Sequence, residues 1–65
     1  MQVKRLRESK NMTQSEIALA LGVNRTAVSM WETGDSMPRA ELLPQLAKVL
    51  GCTIDELFGG GERAS

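Results

Sequence analysis

The side chains that most often carry out reactions are scarce in this 65-residue chain, which has no histidine and one cysteine. A single thiol excludes an internal disulfide framework and any multi-thiolate zinc site. No paired carboxylates in a pocket-forming context and no glycine-rich phosphate loop between a strand and a helix supply a nucleophile or a general base. What remains is recognition through hydrogen bonds, and it concentrates in residues 13–34, TQSEIALALGVNRTAVSMWETG. Two short amphipathic helices joined by a tight glycine turn are written there. A unit of this kind can lay one helix in the DNA major groove.

Local signals place both helices. Thr13 is followed three residues later by Glu16, so the hydroxyl can accept from the Glu16 N–H while the carboxylate accepts from the Thr13 N–H, which starts a helix at Gln14. Met12 and Ile17 flank that cap as a hydrophobic staple. Gly22 suits the left-handed residue that ends a helix. Asn24 then caps a second helix, with Arg25 and Thr26 in its first turn and Val23 and Val28 repeating the staple. This helix runs to about Thr33, and Gly34 ends it. Ala18, four residues before Gly22, has only a methyl group and so allows the two helices to approach closely.

These residues carry a resemblance. Gln14, Ala18, Gly22, Val28 and the closing Trp31-Glu32-Thr33-Gly34 resemble the helix-turn-helix of the phage repressor and Cro family, also called XRE-type regulators. The likeness extends from Val3 to Phe58 and includes Arg-Leu-Arg in the first helix and Leu-Gly-Cys-Thr-Ile-Asp-Glu-Leu near the end. It implies an all-α, compact five-helix bundle of the lambda-repressor-like type over residues 1–58. It also implies a transcriptional regulator that binds double-stranded DNA, most simply a repressor acting as a homodimer on a two-fold symmetric operator.

Carried over position by position, the resemblance puts Arg25, Thr26 and Met30 against base edges. The Arg25 guanidinium can donate twice to guanine O6 and N7. Thr26 can hydrogen-bond a base or touch a thymine methyl, and the Met30 thioether departs from the usual polar side chain in offering apolar contact alone. Gln14, with the free N–H groups at the start of its helix, is placed for a phosphate oxygen because a helix N-terminus attracts anions, and Asn24 can cap and donate at once. The resemblance adds Thr33 and Arg39 as phosphate contacts, although Asp35 would repel phosphate from the loop that holds them. Arg7 is implied to pair with Glu32, tying the first helix to the end of the recognition helix.

The other elements follow from spacing. Val3 and Leu6 form the stripe of a helix over about residues 2–10, with Lys4 and Glu8 spaced as a pair on its wet side, and Asn11 ends it. Pro38 marks a restart, and Pro44 splits the next segment into a single turn at 39–43 and a helix at about 44–50, closed by Gly51. Thr53 and Glu56 form a second capping box for a helix at 53–58. The expected core is Val3, Leu6, Ile17, Ala18, Leu21, Val23, Val28, Trp31, Leu43, Leu46, Leu50, Ile54, Leu57 and Phe58. Cys52, in the staple position opposite Leu57, is expected to pack rather than react. Gly59 onward is expected to be a flexible tail.

Composition limits the partners. Formal net charge is zero, with residues 1–30 carrying five cations against two carboxylates and residues 31–65 carrying three against six. The neutral total favours an alternative, a protein-interaction module such as an antitoxin or phage accessory protein, while the polarised distribution favours DNA. No signal peptide, lipidation motif or membrane-length apolar run is present, which implies the cytoplasm. No cofactor, metal or small-molecule ligand is implied. So small a core leaves roughly 3–5 kcal/mol of net stability, which dimerisation would raise. Leu57 and Phe58 are the expected dimer surface.

Overall fold

Residue chemistry at the helix ends accounts for most of the architecture. The structure is a computed structural model that describes residues 1–59, in the order α1 (Val3–Ser9), α2 (Gln14–Leu21), α3 (Arg25–Thr33), a 3₁₀ turn (Ala40–Leu42), α4 (Leu43–Leu50) and α5 (Ile54–Leu57). Among these residues there is no strand. Both capping boxes form. The Thr13 hydroxyl accepts from the Glu16 N–H at 3.0 Å and the Glu16 carboxylate from the Thr13 N–H at 2.7 Å, and Thr53 and Glu56 repeat the exchange at 3.1 and 2.8 Å. Asn11 takes the left-handed backbone with φ +57° after α1, and Gly34, at φ +90°, does the same after α3. At that second terminus the Met30 carbonyl accepts from the N–H groups of Gly34, Asp35 and Ser36.

Pro44 falls in the first turn of α4, where an N–H would have no helical partner, so the 3₁₀ turn runs directly into the helix. Asn24 occupies the N-cap of α3, but its side chain makes no capping hydrogen bond. The Ala27 N–H closes instead on the Asn24 backbone carbonyl at 3.0 Å, which leaves the Asn24 amide outside. The Lys4–Glu8 pair also fails to form among the described residues; the charge of Lys4 acts on Glu32.

One apolar cluster joins the helices: Val3 from α1, Ile17, Ala18 and Leu21 from α2, Val28 and Trp31 from α3, Leu46, Ala47 and Leu50 from α4, and Leu57 from α5. Leu6, Val23, Leu43 and Cys52 pack on its margin. Burial raises the Cys52 thiol above its ordinary value, the Glu56 charge adds to this and Lys10 opposes it, so the thiolate is disfavoured.

Three expectations at the C-terminal end need correction. Ile54 and Phe58 are not core residues, being 40% and 49% exposed. Leu57 is fully buried and so is no part of a dimer surface. These corrections have one cause. α5 is a single turn of four residues, so it has one inward position, and Leu57 takes it while its carbonyl accepts from the Gln2 N–H at 2.7 Å. From residue 60 on, the expected tail lies outside the described residues.

Trp31 is the largest side chain of the core and is nearly fully buried. Replacing it with Ala removes about 3–5 kcal/mol, comparable with the entire net stability of a domain this size. Circular dichroism of Trp31→Ala should therefore show little helix at 25 °C.

Candidate nucleic-acid interface

The α2–α3 unit presents one of its faces outward. Val28 and Trp31 turn α3 toward the core, and Arg25, Thr26 and Met30 are all exposed on its other side. Residues 25, 26, 29 and 30 lie within one strip at helical spacing, so Ser29, half-buried, belongs to this face as well. Ser29 is not among the contacts expected from the sequence, although its position four residues after Arg25 places both on one helix face.

A chain of hydrogen bonds backs this strip. Arg7 Nε donates to Glu32 Oε2 at 2.7 Å and Arg7 Nη2 to Glu32 Oε1 at 3.3 Å, so the expected pair forms with both arms. The third arm, Nη1, donates to the Met12 carbonyl at 2.8 Å, which fixes the α1–α2 connection. Gln14 Nε2 donates to Glu32 Oε1 at 2.8 Å, and Gln14 Oε1 accepts from Arg25 Nη1 at 3.3 Å. The side chain of Arg7 is 14% exposed and that of Glu32 5%. Burial pushes the Glu32 carboxyl upward, but the hydrogen bonds from Arg7 and Gln14 and the charges of Arg7 and Lys4 outweigh it, leaving the group below its ordinary value. The same hydrogen bond to Glu32 raises Arg7, against an opposing effect of burial. Both groups are therefore charged at neutral pH.

Comparison with known proteins agrees with this geometry. A helix-turn-helix family profile matches residues 3–57. The chain belongs to the helix-turn-helix family, of the XRE type. It is 45% identical over 60 residues to the HTH-type transcriptional activator BcrR of Enterococcus faecalis, covering 92% of this chain and 29% of that protein. It is 39% identical over 56 residues to the HTH-type transcriptional regulator DicA of Escherichia coli, covering 86% and 42% respectively. A third relative, the cryptic phage CTXphi transcriptional repressor RstR of Vibrio cholerae, is 36% identical over 53 residues, covering 82% of this chain and 47% of that protein. The chain thus spans less than half the length of these three relatives. No solved structure matches it significantly. The family is one of DNA-binding regulators and not of enzymes. No helix among the described residues is long and apolar enough to cross a membrane.

Within the helix-turn-helix domain the four suggested phosphate contacts sit in different circumstances. Gln14 is half-buried and has given one amide N–H to Glu32, so one remains. Its backbone N–H and that of Ser15 are the first-turn donors that the Thr13–Glu16 box does not take up. Asn24 is exposed with a free cap. The Thr33 hydroxyl lies within hydrogen-bond distance of Asp35 Oδ2, at 3.0 Å, and of the Met30 carbonyl, at 3.2 Å, so its one proton is already directed to an acceptor. Arg39 makes only a loose, exposed pair with Glu41, at 3.9 Å.

The ion pair has a measurable signature. Arg7→Ala removes hydrogen bonds to a charged group and leaves Glu32 without its cation, a loss of about 1–3 kcal/mol at pH 7. The folded-state value of Glu32 lies below its ordinary 4.5. The contribution is therefore fully present above about that pH and disappears as pH falls through the folded value. The gap between denaturant titrations of wild type and Arg7→Ala should narrow at low pH to what the Met12 hydrogen bond and the Arg7 stem contribute; an unchanging gap would assign the whole loss to those two contacts rather than to the Glu32 charge.

Proposed function

We propose that this domain reads double-stranded DNA in the cytoplasm as a sequence-specific transcriptional repressor, binding a two-fold symmetric operator as a homodimer. The observation that carries this reading is the outward strip of Arg25, Thr26 and Met30, beside the N-terminus of α2. In this pose Arg25 donates to guanine O6 and N7, worth about 1–3 kcal/mol against the wrong base. Thr26 and Met30 meet a neighbouring base edge or a thymine methyl. Phosphate oxygens accept from the remaining Gln14 amide N–H and from the first backbone N–H groups of α2, where the helix dipole favours an anion. Asn24 adds a donor, and Arg39 reaches phosphate once it leaves Glu41. Thr33 contributes least, because a phosphate there must approach Asp35. Repression is steric, since a bound dimer covers the DNA it occupies, with half-sites about one helical turn apart. Ile54 and Phe58, exposed on either side of the buried Leu57, replace the Leu57–Phe58 pair as the dimer surface.

The zero net charge and the apolar Met30 favour a second reading, in which the same face holds a protein partner. Selection of random duplexes at two salt concentrations, run beside light scattering, separates the two. The DNA reading requires an enriched palindromic motif and a shallow salt slope, about −2 to −3 in log–log units per protomer for two or three neutralised phosphates. Arg25→Ala should lose guanine preference at one position per half-site by about 5- to 150-fold. Selection of no motif would give the face to a protein partner. Phe58→Glu should produce monomers that melt like wild type and bind the operator more weakly; dimers that persist would move the interface elsewhere.

A further inference from the structure

We propose that Glu32 is a positioning residue for Arg25, acting through the orientation of the Gln14 amide. This inference rests on the DNA reading above for its functional consequence, although its geometry does not. The oxygen and nitrogen of a glutamine amide are nearly equal in size, so packing alone does not decide which way the group faces. Its neighbours decide. On one side of Gln14 lies the Glu32 carboxylate, which only accepts, and on the other the Arg25 guanidinium, which only donates. With Nε2 toward Glu32 at 2.8 Å and Oε1 toward Arg25 at 3.3 Å, both contacts are attractive. The reversed amide would set oxygen against carboxylate and N–H against guanidinium. Only one orientation is compatible with both neighbours.

The carboxylate is in turn immobile, because Arg7 holds both of its oxygens and anchors its own third arm on the Met12 carbonyl. The consequence for Arg25 is directional. Arg25 is exposed at the first position of α3, and a free arginine there would sample many rotamers that have to be surrendered on binding. Tethering one Nη to Gln14 narrows that set before DNA arrives and leaves the other guanidinium N–H groups to meet a base. The selectivity of Arg25 for guanine therefore depends on a residue near the far end of the same helix.

An exchange of the acidic and amide side chains tests this. In Glu32→Gln the oxygen of the introduced amide stays with Arg7 Nε, the shorter of the two Arg7 contacts, and its NH₂ takes the place of Oε1, giving up the longer Arg7 Nη2 hydrogen bond and facing Gln14. Gln14 must then reverse, present its own NH₂ to Arg25 and release it. In the double variant Glu32→Gln/Gln14→Glu, the introduced carboxylate accepts from the introduced amide and from Arg25 together, and the tether returns with the net charge unchanged.

Two measurements are needed. Nitrogen-15 relaxation of the Arg25 Nε–H in the free protein should show an ordered side chain in wild type, a mobile one in Glu32→Gln, and an ordered one in the double variant. Equal mobility in all three would overturn the proposal, whatever the domain does with DNA. In duplex competition, the ratio of affinities for guanine over adenine at the Arg25 position should fall in Glu32→Gln toward the Arg25→Ala level and recover in the double variant. A uniform loss of affinity for all duplexes at an unchanged ratio would make Glu32 a purely structural residue and also overturn it. If relaxation follows the expected order but wild type selects no motif, the positioning of Arg25 stands and the DNA reading fails.

Discussion

The Arg7–Glu32 pair is the constraint on which the rest of this small domain depends. A carboxylate side chain only 5% exposed is tolerated only when its charge is matched and its lone pairs are used. Arg7 supplies the charge and two hydrogen bonds, and Gln14 a third. Meeting that requirement brings the first helix, the start of the second and the end of the third to one point. Because Arg7 also holds the Met12 carbonyl, the same contact sets how the chain enters α2. The part-buried pair thus specifies an arrangement that apolar packing alone would leave loose.

Around that point the hydrophobic cluster is small. α2 and α3 contribute five of its ten buried residues, with Ala18 allowing their close approach, and α5 adds only Leu57. A core of this size gives little margin, so both the centre of the cluster at Trp31 and the polar brace at Glu32 matter to folding. The two lie next to each other in sequence but face different neighbours, one inward to the apolar cluster and the other to Arg7 and Gln14. α3 is therefore fixed in rotation about its axis from two directions. The strip of Arg25, Thr26, Ser29 and Met30 faces outward as a result of that double constraint.

The charge distribution accords with this division of labour. Cations gather in the first half of the chain and carboxylates in the second, yet the cation most deeply engaged, Arg7, serves the fold. On the proposed DNA reading, the surface offered to a polyanion consists mainly of hydrogen-bond donors at the start of α2 and a few exposed arginines. Such a face relies on shape and orientation more than on net attraction. Orientation is what the polar brace supplies.

Much of this was determined by the sequence alone, where the physics is local. A threonine three residues before a glutamate makes the same reciprocal cap wherever it occurs, and asparagine or glycine relieves a left-handed turn within one residue. Those signals placed the ends of α1 to α4 to within a residue or so and identified Val28 and Trp31 as inward residues. The Arg7–Glu32 pair came from the family resemblance rather than from spacing, since the residues are 25 apart. Only the tertiary structure decided what depends on distant neighbours. Periodicity made Ile54 and Phe58 apolar candidates for the core, but the cluster had one vacancy at α5 and Leu57 filled it. Gln14 has no sequence signature for its direction, because an amide can face either way. The carboxylate and the guanidinium that settle it approach from different parts of the chain, and they meet only once the fold has closed.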